Sequence, residues 1–292
     1  MRARLLAALS AALLCSLGAA PVSANGSHDD EDSYLALGDS VSFGTSPLVS
    51  PANAGNFVGY PEIVARALEL TDVNASCPGE ATGGFLSLTG TDNVCRDYRF
   101  RYSFPLHVSY TGTQVAFALG YLRAHKKGTR LVTLTLGAND FFRYQKDCLL
   151  GATVGTCPLG VAGVLGVMYA NLNSILSQIR ATGYHGLIVA VTYYALDYNN
   201  IAGTLGLNSP MIAAAQANDA LVASGFTAFQ ATATAAGGSS CTAGLLIHVS
   251  ASTCDVHPSP RGRDLLAAAV LDTIAASCPE HVAQDCLDLE RD

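Results

Sequence analysis

Clusters of positive charge are missing from this chain. Its 16 lysines and arginines are scattered among 23 acidic residues, and the formal net charge is -7. An acidic surface without a basic run does not neutralise phosphates or draw the protein to anionic lipid, so no nucleic-acid partner is expected. Long apolar runs are also missing. After the first two dozen residues no segment approaches the about 20 apolar residues that a membrane span needs, and no integral span is expected. The cysteines lack the close paired spacing of a zinc site, so no metal is expected. No linker-like stretch interrupts the pattern, which points to one large domain over residues 33–292. Charged residues make up only 13% of the chain and hydrophobic ones 50%, enough to bury a large core.

The first 24 residues are different in kind. A basic start (Arg2, Arg4), an apolar stretch from Leu5 to Ala20 and the small-residue step Val22-Ser23-Ala24 have the layout of an export signal with its cleavage site. Residues 25–32 are then expected to be a flexible N-terminal segment. Loss of Arg2 and Arg4 takes the formal charge to -9. Leu14 stands where a lipid-anchored Cys15 would need a small residue, so no lipid anchor is expected and the mature protein is expected to be secreted. Removal of Cys15 leaves eight cysteines, an even number, which in an exported chain implies disulfides. The pairs nearest in sequence are Cys77–Cys95, Cys148–Cys157, Cys241–Cys254 and Cys278–Cys286, although spacing alone does not fix connectivity.

Strand and helix patterns alternate along the chain, the signature of a parallel sheet covered by helices. Strands are expected at Ser33 to Leu37, Val73 to Ser76, Thr129 to Leu136 and Leu187 to Tyr193, with further candidates at Phe226 to Ala231 and Leu245 to Val249. Helices are expected near Tyr60 to Leu70, Thr113 to His125, Val161 to Thr182, Pro210 to Ser224 and Arg261 to Ala276. The segment from Pro78 to Tyr110 reads as irregular, a length of loop more often functional than accidental.

Three short blocks carry the chemistry. Gly38-Asp39-Ser40-Val41 follows the apolar run Tyr34-Leu35-Ala36-Leu37; Gly137-Ala138-Asn139-Asp140 ends a second strand; Asp255-Val256-His257-Pro258 lies near the end. Gly-Asp-Ser after a strand is by itself an ordinary turn. In an open parallel sheet, however, ligands bind beyond the carboxyl ends of the strands, so the first two blocks fall on one edge, and a histidine supplies the base that a serine hydroxyl needs. In this order, over about Ser33 to Ala276, the blocks resemble those of the GDSL, or SGNH, hydrolase family. The resemblance implies a three-layer α/β/α sandwich with a mostly parallel, flavodoxin-like central sheet. It also implies Ser40 as nucleophile, His257 as base, and an oxyanion hole made by the Ser40 amide, a glycine amide and Asn139. The glycine is matched by Gly79, with Gly83 and Gly84 as rivals.

The chain departs from the family pattern twice. Val41 replaces a leucine that only packs. The acid that the family places three residues before the histidine is replaced by Cys254, and Asp255 lies only two before, so either its side chain or a backbone carbonyl near Cys254 orients His257. The implied function is a secreted serine esterase or lipase acting, as a monomer and without a cofactor, on a small-molecule or lipid ester. A carbohydrate O-deacetylase and a catalytically silent glycan- or lipid-binding domain are the alternatives. His107, His125, His185 and His248 read as surface or packing residues. The alternating Tyr98, Phe100, Tyr102 and Phe104 read as an amphipathic strand in preference to an acyl-contacting wall. Tyr193, Tyr194 and Tyr198 follow a strand end and suit a pocket mouth, and Asp140 suits an anchor for its turn.

Overall fold

The computed structural model describes residues 32–149 and 160–277. The expected export signal and the pairings Cys148–Cys157 and Cys278–Cys286 involve residues outside these; Cys148 is disulfide-bonded. Five strands, β1 (Ser33–Gly38), β2 (Thr71–Asn74), β3 (Thr129–Thr135), β4 (Leu187–Val191) and β5 (Leu221–Ala223), form one sheet in the order β2-β1-β3-β4-β5. Every neighbouring pair is parallel. The chain steps outward from β1 to β2 and then crosses back to β3, so the winding direction reverses between β1 and β3. That reversal opens a crevice at the carboxyl ends of these two strands.

Side chains on a strand alternate between faces, and here both faces are buried. Tyr34, Ala36, Leu131, Val189 and Val191 face one apolar core, and Leu35, Leu37, Val132, Leu134, Ile188 and Ala190 face a second. The first core is closed by the helices α2 (Tyr60–Ala67), α8 (Gly225–Ala235) and α9 (Pro260–Ser277), through Val64, Phe229, Leu266 and Val270. The second is closed by α4 (Gln114–His125), α6 (Gly160–Ala181) and α7 (Ala202–Gln216), through Leu122, Leu172, Ile175 and Met211. This is the three-layer sandwich. Burying a side chain of this size stabilises by about 1.5–3 kcal/mol relative to leaving it in water. Three short helices sit at the carboxyl edge, α1 (Ser40–Phe43), α3 (Thr82–Leu86) and α5 (Ala138–Tyr144), beside an antiparallel hairpin of β6 (Leu246–His248) and β7 (Cys254–Pro258).

Several expectations are corrected. Phe226 to Ala231 is helix, within α8, because its buried residues Phe229 and Ala233 recur at helical spacing. The segment expected as one helix from Pro210 to Ser224 divides between α7, which runs through Pro210, and the short strand β5. The aromatics from Tyr98 do not form a strand; Asp97–Arg101 is a turn of π-helix. Finally, α6 is long and apolar enough to cross a membrane by length and composition, with a mean hydropathy of 1.3. Its Val164, Met168, Leu172, Ile175 and Ile179 recur every three to four residues and pack on the sheet, the pattern of a helix laid on a core.

Candidate active site

Ser40 is delivered by β1 into a turn that leaves little freedom. Gly38 has φ 134°, and a Cβ there would lie 2.0 Å from the Thr135 carbonyl oxygen, so the close approach of β1 to β3 demands glycine. Asp39 caps α1, its Oδ1 accepting from the Val41 N–H at 2.9 Å. Ser42 ties the helix back to the strand by donating to the Leu37 carbonyl at 3.2 Å. Ser40 is the first residue of α1 and is half-buried.

His257 lies on β7. Residues two apart on a strand share a face, so Asp255 and His257 project together. Asp255 Oδ1 accepts from His257 Nδ1 and also from the His257 backbone N–H at 3.0 Å. The carboxyl is held below its ordinary range, chiefly by the hydrogen bond from His257, with burial opposing. With Nδ1–H bonded to a carboxylate, the basic nitrogen is Nε2. Cys254, three residues before the histidine, is joined to Cys241 and braces the hairpin. Tyr194 fixes the strand from the other side, donating to the Val256 carbonyl at 2.7 Å while its ring stacks on Phe229 at 4.3 Å.

Asn139 sits in the first turn of α5, after Gly137. Asn93 Nδ2 donates to Asn139 Oδ1 at 2.9 Å, and Asn139 Nδ2 donates to Asp39 Oδ2 at 3.4 Å. One end of the amide meets a donor and the other a carboxylate, which settles which way it points. Gly79 has φ 80°, and a Cβ on it would lie 2.2 Å from the Asn93 carbonyl oxygen. Its carbonyl accepts from the Asn93 N–H at 3.1 Å, and the buried Cys77–Cys95 disulfide spans the turn. Gly83 and Gly84 lie in α3, the latter donating to the Thr91 carbonyl at 2.6 Å. Asp140 accepts from the Thr82 N–H at 2.9 Å and hydroxyl at 2.6 Å, which fastens α5 to α3.

Asp39 is the most crowded group. Its Oδ2 also accepts from the Tyr193 hydroxyl at 2.6 Å, and that hydroxyl accepts from the Ala138 N–H at 3.1 Å. Burial pushes the Asp39 carboxyl up to about 6, against the opposing pull of its donors and of His257.

Ser40, Gly79, Asn139 and His257 line one cleft of about 690 Å³ at the switch between β1 and β3. Gly83 and Gly84 do not line it, and neither do His107, His125, His185 and His248. A family model for GDSL-like lipases and acylhydrolases matches residues 36–265, most of the chain. The chain belongs to the GDSL-like lipase/acylhydrolase family. No curated protein matches its sequence. Among solved structures, an acetyl xylan esterase from Geobacillus stearothermophilus is similar at 17% identity with a TM-score of 0.51, covering 83% of this chain and 94% of that one. A phospholipase A1 from Streptomyces albidoflavus is similar at 21% identity with a TM-score of 0.51, covering 83% and 99%. At these identities the likeness establishes the SGNH-hydrolase fold.

Within this GDSL-family cleft, sequence reasoning missed Asn93 and assigned Tyr193 only to the mouth. The one signal for Tyr193 was a phenol at the carboxyl end of an apolar strand. Of the alternating aromatics, Tyr98 lines the cleft and Phe104 packs on Phe43, whereas Phe100 and Tyr102 are exposed. Two further groups bring metal-ligand atoms together, Cys241 with His248 and Cys254, and Cys77 with Glu80 and Cys95. In each, both sulfurs are joined in a disulfide and have no thiolate to offer.

Proposed function

We propose that this protein is an exported serine hydrolase of carboxylic esters. Ser40 Oγ attacks the ester carbonyl while His257 Nε2 takes its proton, and Asp255 stabilises the imidazolium. The N–H groups of Ser40 and Gly79 and the side-chain amide of Asn139 receive the oxyanion, each such donor being worth about 2.7–4 kcal/mol in the transition state. His257 returns the proton to the departing alcohol. Water then attacks the acyl-enzyme, with His257 again as base.

The observation that carries this reading is that Ser40, Gly79, Asn139 and His257 line one cleft, with Asp255 bonded to His257 behind it. Among the described residues no hydrogen bond engages the Gly79 N–H, so that donor is available to the cleft. The apolar walls supplied by Phe142, Leu196, Leu207 and Val256 suit an acyl chain. Export is supported by the signal-like first 24 residues and by the cross-links Cys77–Cys95 and Cys241–Cys254.

The test is the hydrolysis of p-nitrophenyl esters from acetate to palmitate, with Ser40→Ala alongside and fluorophosphonate labelling of both. The expected result is labelling at Ser40 and a rate that Ser40→Ala abolishes without lowering Tm. A peak at acetate would favour a deacetylase, and one at long chains a lipase. A folded wild type that neither labels nor hydrolyses any ester overturns the reading in favour of a binding domain.

A further inference from the structure

We infer that Tyr193 is a positioning residue of the oxyanion site, acting through Asp39 on the amide of Asn139; the inference rests on the ester-hydrolase reading above. Asp39 is 1% exposed and stands immediately before the nucleophile. Its Oδ1 is occupied by the Val41 N–H, and its Oδ2 faces two donors at unequal distances, the Tyr193 hydroxyl at 2.6 Å and Asn139 Nδ2 at 3.4 Å. An amide given a carboxylate oxygen to itself closes to about 2.9–3.0 Å. The phenol holds that oxygen, so the Asn139 nitrogen stays back from Asp39 and remains available to the cleft.

The same hydroxyl accepts the Ala138 N–H at 3.1 Å, which joins the turn carrying Ser40 to the residue before Asn139. Tyr193 is itself clamped. The buried Asn208 on α7 accepts from its N–H at 2.9 Å and donates to its carbonyl at 2.8 Å. Asn93 steadies the far end of Asn139. Without the phenol oxygen, Asn139 Nδ2 becomes the best remaining donor for Asp39 Oδ2, and the Ala138 N–H loses its acceptor. Both changes draw the Asn139 amide toward Asp39 and away from a developing oxyanion.

A double-mutant cycle separates this from a merely structural role. Rates are measured on a p-nitrophenyl ester for wild type, Tyr193→Phe, Asn139→Ala and the double variant, each normalised to the sites that fluorophosphonate labels, so that only folded enzyme counts. Tyr193→Phe is expected to lower kcat about tenfold or more with KM nearly constant. In the Asn139→Ala background the same change is expected to alter kcat by less than about twofold. An equal loss in both backgrounds, or no loss in wild type, overturns the inference. Should Tyr193→Phe fail to fold, Tyr193→Met, which likewise lacks the hydroxyl, takes its place in the cycle with the same non-additivity expected and the same overturning result. Absence of Ser40-dependent hydrolysis in wild type refutes the ester-hydrolase reading instead, so the two failures are distinct.

Discussion

Asp255 reaches His257 because the two stand on an extended strand, where a spacing of two puts side chains on one face. Cys254 alternates to the other face and is tied to Cys241. In Asp255→Asn the side chain keeps its shape but has no charge to set against an imidazolium. We expect kcat for ester hydrolysis to fall about 100-fold or more with KM little changed, and steady-state kinetics on one p-nitrophenyl ester decides it. A loss below about threefold would mean that the Asp255–His257 contact only shapes the hairpin. That Ser40 and Asn139 meet at one edge was legible, since strand ends of a parallel sheet share a side, whereas His257, on the separate hairpin, came only from the resemblance. Gly79 was the match the resemblance gave, and it lines the cleft where its rivals Gly83 and Gly84 do not, a difference that depends on which turn faces the cleft. Asn93 and Tyr193 were not legible for a related reason. They act on partners 46 and 154 residues away, Asn139 and Asp39, and no local pattern records such a pairing.

Between α5 and α7 the cleft has an element-scale feature of its own. Phe141, Phe142 and Gln145 come from α5 and the residue after it, and Gly203, Thr204 and Leu207 from the first turns of α7. A Cβ placed on Gly203 meets nothing within 4 Å, and its φ is not positive, so a larger side chain there is unstrained. Gly203→Leu should therefore project into the cleft and lower kcat/KM for long p-nitrophenyl esters about tenfold relative to acetate. Tm should be unchanged or slightly raised, because glycine inside a helix costs about 0.5–1 kcal/mol. An unaltered chain-length profile would place the acyl chain elsewhere. The order of the main elements was legible from alternating apolar runs, yet α7, β5 and α8 were misread together. Proline favours helix starts, so Pro210 suggested one where α7 is already two turns long. β5 has only three residues, too few to show a period. In α8, phenylalanine and threonine suggested a strand, but burial follows Gly225, Phe229 and Ala233 at helical spacing.

At the scale of the whole molecule the fold encloses several acids. Burial pushes Asp39 and Asp140 up to about 6, Asp72 to about 7 and Glu80 to about 8. Between the ordinary carboxylate range near pH 4 and these values, the unfolded chain gives up protons that the folded chain keeps, so stability falls as pH rises through that window. Asp255 acts in the opposite sense: its carboxyl is held low, so its contribution is complete above the ordinary range and is lost only on further acidification. The expected outcome is a Tm that peaks in mild acid and declines by several degrees between about pH 5 and pH 8, since about 1 kcal/mol moves Tm by roughly 2–4 °C in a domain of this size. Glu80 dominates the upper part of the decline. It adjoins Gly79, and Gln114, which bonds both the N–H and the carbonyl of Gly38, lies 3.4 Å from its Oε2. Glu80→Gln keeps the shape and removes the titration, so the decline between about pH 6 and pH 8 should become shallower in that variant. Thermal melts of both proteins across the range check this; parallel curves would mean that Glu80 is already ionised inside the fold.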